Sequence, residues 1–309
     1  MGTSTSVILQ QMGVIVILVS IGIYLYKKGT VDSSVSPRLS AIVVDVCNPA
    51  LILASILSGN ITATRRDLVI GMIIGVIFYT CLIILGFILP RILRVKPDER
   101  RYYNMMTIYT NTGFIGIPVA KAILPENAIL YVIVINVMYS LLFYTHGITV
   151  LSAGKEKLSI KKIFSPGTIM AVLALVVFWF NITPPTIISS SISYIGNPTV
   201  FLSMIVLGVS IARSNLKGGL KNIRIWGYVL IRMILVPIAV ALVLHSCGIN
   251  RDAVLGVTLM ASVPIGNLPM ITAEKMGQDT ELLSTAIAVT TAMSIITITV
   301  IMSILSSVT

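Results

Sequence analysis

The chain has 309 residues, 56% of them hydrophobic and 11% charged, at a mean hydropathy of +0.99. Soluble domains carry about 25% charged residues, so a soluble catalytic domain does not fit. The net charge of +11 would suit nucleic acid, but the placement of the cations excludes that partner.

Runs of about 20 apolar residues can each cross a bilayer, and ten occur, at approximately 7–26, 40–59, 68–90, 102–124, 128–151, 166–182, 187–212, 225–246, 252–276 and 282–305. The composition therefore predicts an all-α polytopic membrane protein. The start "MGTSTS" has no basic n-region, so the first run reads as a span and not a cleaved signal. Gly2 also fits the loose myristoylation pattern, but this end should face away from the cytoplasm and the chain is already anchored, so no lipidation is expected. The second run carries Asp45 and then Asn48-Pro49. The fourth contains "NTGFIGIPVA" at 111–120, where two glycines and a proline fall within six residues. Interior Gly disfavours helix by about 1 kcal/mol and Pro by about 3.

The fifth run places Asn136, Tyr139, Phe143 and His146 on one helical stripe. Asn136 and Tyr139 read as a wall facing a substrate, with interhelical hydrogen bonding as the alternative; His146 reads as structural. A short basic linker, 153–165, follows. The seventh run opens on Asn197-Pro198, and the eighth encloses Arg232. In the ninth, "SVPIGNLP" at 262–269 repeats the proline-glycine chemistry of the fourth. Thr290, Ser294 and Thr297 stripe the tenth and read as packing groups. Cys47, Cys81 and Cys247 show no metal spacing, so neither zinc nor disulfides are implied.

Seventeen Lys and Arg fall in alternate loops, from Lys27, Lys28 and Arg38 through Lys155, Lys157, Lys161 and Lys162 to Lys217 and Lys275. Only Arg65, Arg66, Lys121 and Arg251 lie on the other side. By the positive-inside rule the rich side is cytoplasmic, which puts both termini outside the cytoplasm in a multi-pass cell-membrane protein.

Asn48-Pro49 and Asn197-Pro198 stand 149 residues apart, and Gly116 and Gly266 stand 150 apart. Two landmarks agreeing on one separation predict a repeat of five spans, residues 1–152 and 166–309 about the linker. An odd span number inverts the second copy. Matched interruptions in inverted halves point to a transporter's binding site. Two breaks that cross would satisfy one another's backbone and present two helix N-termini, each about half a positive charge, to a small anion. Pro118 is expected to begin one half-helix, while Gly113 and Gly116 permit unusual backbone angles. Asp45 and Arg232 are charges inside spans. Asp45 reads as a proton relay or as a cap on a kinked helix, and Arg232 as a snorkelling side chain or a lure for anions; proton or ion coupling is the functional role considered for both. No nucleophile, metal cluster or cofactor-cradling loop argues for an enzyme, and no cofactor is expected.

"NTGFIGIP", "ASVPIGN" with "AEKMGQD", "NPAL" and "VFLSMIVLGVSIAR" resemble the auxin efflux carrier family over nearly the whole chain. The resemblance implies two inverted five-helix repeats. Spans one, two, six and seven would form a dimerising scaffold, and the rest a mobile unit crossed at spans four and nine. It implies crossover residues Asn111, Gly113, Gly116 and Pro118 with Val263, Pro264, Ile265, Gly266 and Asn267, and elevator-like secondary transport of organic anions. The chain lacks the long hydrophilic central loop of the plant branch, so the resemblance implies carboxylates such as malonate or malate ahead of auxin-like acids. An anion channel and a ligand-sensing membrane protein are the alternatives from other classes.

Overall fold

The computed structural model describes residues 5–32, 34–57, 61–153, 164–213 and 221–308. Most of the basic linker, with Lys155, Lys157, Lys161 and Lys162, lies outside these residues, as do Lys217 and the Gly2 pattern.

Among the described residues the elements are helices, plus a single antiparallel bridge pairing Thr110 with Ile265. Seven helices are long and apolar enough to cross a membrane: Ile8–Lys27, Val35–Leu57, Arg65–Ile92, Glu126–Leu151, Thr186–Arg213, Ile223–Ser246 and Glu281–Ser307. The run at 166–182 gives the shorter helix Pro166–Phe180. Its 15 residues rise only about 22 Å, less than the roughly 30 Å of a hydrocarbon core. The runs at 102–124 and 252–276 each divide into two half-helices.

We number the helices used below α1 (Thr5–Lys27), α2 (Val35–Ile42), α3 (Asn48–Leu57), α4 (Arg65–Ile92), α5 (Arg100–Ile108), α6 (Ile117–Ile123), α7 (Glu126–Leu142), α8 (Ile148–Leu151), α9 (Pro166–Phe180), α10 (Thr186–Gly196), α11 (Pro198–Arg213), α12 (Ile223–Tyr228), α13 (Val236–Ser246), α14 (Arg251–Ser262), α15 (Asn267–Lys275) and α16 (Glu281–Val308).

Prolines decide where several of these change pitch. Wide π-turns occupy Val43–Cys47, Thr112–Gly116 and Val229–Leu235, and each ends two residues before a proline: Pro49, Pro118 and Pro237. A proline cannot donate to the carbonyl four residues back, and its ring crowds that carbonyl. Widening the preceding turn relieves the crowding without ending the helix.

Lipid tails are as apolar as leucine, so close backbone approach and hydrogen bonds, more than hydrophobicity, hold such helices together. α1 packs on α11 through Gly22 and Gly208, where an added Cβ would collide with the carbonyls of Ile205 and Val19 respectively. Gly71 and Gly75, one turn apart on α4, seat Tyr131, Val134 and Met138 of α7. Gly196, beside the Asn197-Pro198 kink, approaches the backbone of Leu51, beside Asn48-Pro49, to within 2.8 Å of where its Cβ would stand.

A polar clamp ties α4, α7 and α14 together at one end. Thr64 and Asp67 form a capping box at the start of α4. Tyr131 Oη donates to Asp67 Oδ1 at 3.2 Å, and Asn250 Nδ2 donates to the same oxygen at 3.0 Å and to Tyr131 Oη at 2.7 Å. Asn250 Oδ1 also caps α14 by accepting from the Ala253 N–H.

Candidate functional site

The site grows from two places where helix stops inside apolar sequence. α5 ends at Ile108, Tyr109–Asn111 run extended, and a new helical segment starts at Thr112. α14 ends at Ser262, Val263–Gly266 run extended, and α15 starts at Asn267. The two extended pieces cross antiparallel. The Asn111 N–H donates to the Pro264 carbonyl at 2.7 Å, and the Gly266 N–H donates to the Tyr109 carbonyl at 3.0 Å. Each break thus supplies the partners that the other lost, as water-free surroundings require.

Close approach explains Gly266. A Cβ there would lie 3.0 Å from the carbonyl oxygens of both Tyr109 and Thr110. Gly113 and Gly116 do not supply the unusual backbone angles expected of them: among the described residues the glycines with positive φ are Gly29, Gly248 and Gly277. Gly116 is helical at φ −57°, and what stands against it is the flexible tip of Met260. Gly113 faces Asn48 and Asn136, which leaves room between these side chains.

On one side of the crossing lie the helix C-terminal ends, where carbonyls are left without intrahelical donors. Arg232, from the wide turn before Pro237, fills that side. Its Nε donates to the Thr107 carbonyl at 2.8 Å and its Nη1 to the Ala261 carbonyl at 2.6 Å, so one guanidinium bridges the last turns of α5 and α14. Tyr228, one turn earlier, donates to the Met106 carbonyl at 2.7 Å. Arg232 is 0% exposed, and its Nη2 is buried without a partner. This corrects the snorkelling expectation: the cation is held inward because two negative helix ends converge on it. Thr290 of α16 accepts from the Ile265 N–H at 3.4 Å, so it supports the break directly.

On the opposite side the helix N-terminal ends open on a cavity of about 390 Å³. Asn111 caps the segment from Thr112, its Oδ1 accepting from the Phe114 N–H at 3.2 Å. Thr112 Oγ1 donates to Asn136 Oδ1 at 3.0 Å, tying the new helix to α7. Asn111, Gly113, Asn136, Tyr139, Gly266, Asn267 and Asp45 all line the cavity. Tyr139 stacks on Phe143 at 6.0 Å and meets Tyr109 edge-on at 5.7 Å, while Tyr109 Oη pairs with His146 Nδ1 at 2.9 Å. This aromatic group braces the wall, and His146 stands behind it.

Gly116, Pro118, Val263, Pro264, Ile265 and Arg232 are not among the lining residues. Val263, Pro264 and Ile265 belong to the crossing and Pro118 to α6 beyond it, while the cavity is faced by Thr110, Asn111 and Gly266 of the breaks and by the residues just after them. Pro118 does not begin the half-helix, since helical structure begins six residues earlier at Thr112. Sequence reasoning used Asn48 only as a repeat landmark, yet it lines the cavity, 6% exposed, with Oδ1 unpartnered. Its position three residues after Asp45, on the same helix face, was the available signal. Ser140, Tyr144 and Thr168 also line the cavity unanticipated. Among the described residues no cluster of metal-ligating side chains occurs.

The fold is that of a multi-pass helical membrane protein, and the cavity beside the crossing is its candidate binding site. The family model described as membrane transport protein matches residues 7–160 and 153–302, and the chain belongs to this family, that of the auxin efflux carriers. It is 25% identical over 301 residues to an uncharacterised transporter of Methanocaldococcus jannaschii, covering 92% of this chain and 94% of that one. It is 24% identical over 296 residues to an uncharacterised transporter of Methanothermobacter thermautotrophicus, with the same shares covered.

Proposed function

We propose that this protein is a secondary carrier of small organic anions, carboxylates foremost, which it holds at the cavity beside the crossing and exposes alternately to each side of the cell membrane. The observation that carries the reading is that two helical segments, Thr112–Ile123 and Asn267–Lys275, begin at one cavity. Their dipoles favour a negative oxygen there, although the N–H groups of Thr112, Phe114, Ile115 and Gly116 are already taken by Thr110 and Asn111. The amides of Asn111, Asn136 and Asn267 add neutral hydrogen-bonding groups.

In this reading the chain makes ten crossings as two inverted halves, 1–152 and 166–309, with both termini extracytoplasmic, as the cation distribution favours. The α4–α7–α14 clamp supports a unit that moves as one body, elevator-fashion. α1, α3 and α9–α11 would form the static scaffold and the dimer contact.

Reconstitution into liposomes tests the proposal. Radiolabelled three-carbon carboxylates should enter saturably, and unlabelled substrate inside should accelerate the entry. Flux without saturation or exchange, or no flux from folded protein, would remove the carrier reading.

A further inference from the structure

The cavity is polar at two ends of opposite kind. At the crossing stand the helix starts at Thr112 and Asn267, together equivalent to about one positive charge. At the other end stands Asp45, on the wide turn Val43–Cys47 that leads into α3. Among the described lining residues Asp45 is the one with a formal charge, and it is exposed within the span. Asn48 Nδ2 lies 3.4 Å from the Cβ position of Gly113, so this amide reaches the crossing, while its Oδ1 is buried and accepts nothing. Residues three apart on a helix stand about 5–6 Å apart at Cβ, so the Asp45 carboxylate lies about one turn from the anion end.

We propose that the preferred ligand is a small monocarboxylate carrying a hydrogen-bond donor, hydroxyl or ammonium, two or three carbons from its carboxylate. This rests on the cavity being the substrate site. The carboxylate takes the helix starts, and the donor takes the Asp45 carboxylate, the exposed acceptor in the lining. The charge present suffices for one carboxylate. A dianion would bring its second carboxylate against Asp45 with no lining cation to offset it, and like charges sharing a site disfavour one another. A plain fatty acid would place apolar carbon against the Asp45 carboxylate and offer it no donor.

Three acids that differ only at the far carbon test this: 3-hydroxypropanoate, propanoate and malonate. Binding is measured calorimetrically on the purified full-length protein at pH 7.5, with Asp45→Asn alongside. The hydroxy acid should bind at least tenfold more tightly than either relative. Asp45→Asn should reduce that preference severalfold, by improving propanoate and, more strongly, malonate relative to the hydroxy acid. Equal binding of all three, or an Asp45→Asn effect shared equally among them, overturns the donor-end proposal while the anion site stands. No binding of any of them to folded protein overturns the anion site, and this proposal with it.

Discussion

The two sides of the crossing begin from the same problem and resolve it in opposite ways. On the C-terminal side, carbonyls left by the breaks are taken up by Arg232 and Tyr228, and Arg232 is wholly buried. On the N-terminal side, the helix starts face a cavity of about 390 Å³ lined by amides and hydroxyls. A helix interruption by itself is only a kink. It becomes a candidate site when protein seals one face and leaves the other open.

Substitutions on the sealed side should cost the most. Arg232→Met removes two charge-assisted hydrogen bonds, each worth about 1.5–3 kcal/mol, and leaves two buried carbonyls unmatched. Stability should fall by about 3–5 kcal/mol, read as a lower melting temperature and loss of the monodisperse peak in detergent. Arg232→Lys should recover part of this, because an ammonium lacks the planar fork that spans two helix ends. An unchanged melting temperature for Arg232→Met would mean that the seal does not hold the crossing.

Gly266→Ala acts on the crossing itself. The new methyl would meet two backbone oxygens at 3.0 Å, neither of which can rotate away. About 1–3 kcal/mol of overpacking strain is expected, whereas Gly116→Ala is crowded by the flexible tip of Met260, with the Asn111 carbonyl at an ordinary 3.5 Å, and should cost less. Equal melting points for the two alanines would contradict the main-chain contact.

On the open side effects should shift from stability to binding. Asn111→Ala removes a cap worth about 0.5–2 kcal/mol and should weaken anion affinity by about 1–3 kcal/mol, seen in calorimetric titration. Thr112→Val deletes the bond to Asn136 and should cost least, near the 0.6 kcal/mol average for interhelical bonds in membranes. A Thr112→Val loss exceeding that of Arg232→Met would invert the contrast between the two sides.

Much of this was legible in the sequence because Gly and Pro are conspicuous in apolar runs. "NTGFIGIP" and "SVPIGNLP" mark both interruptions, and Asn111, Asn136, Tyr139 and Asn267 fall on the cavity wall. The start of the half-helix was misplaced to Pro118 because local rules put proline in a first turn, whereas a π-turn let the helix begin earlier at Thr112. Arg232 was misread because its partners are main-chain carbonyls of Thr107 and Ala261, 125 and 29 residues away. Backbone groups carry no sequence signature. Gly71 and Gly75 were readable as a packing face by their four-residue spacing, while the meeting of Gly22 with Ile205 and of Gly208 with Val19 depends on tertiary arrangement.

That last contact has a mechanical consequence. Where α1 and α11 meet, main chain touches main chain with no side chain between to act as a bearing. The pair resists sliding, since a shift of one residue would drive a side chain into a carbonyl. The two helices are therefore held in one register against each other by main chain alone.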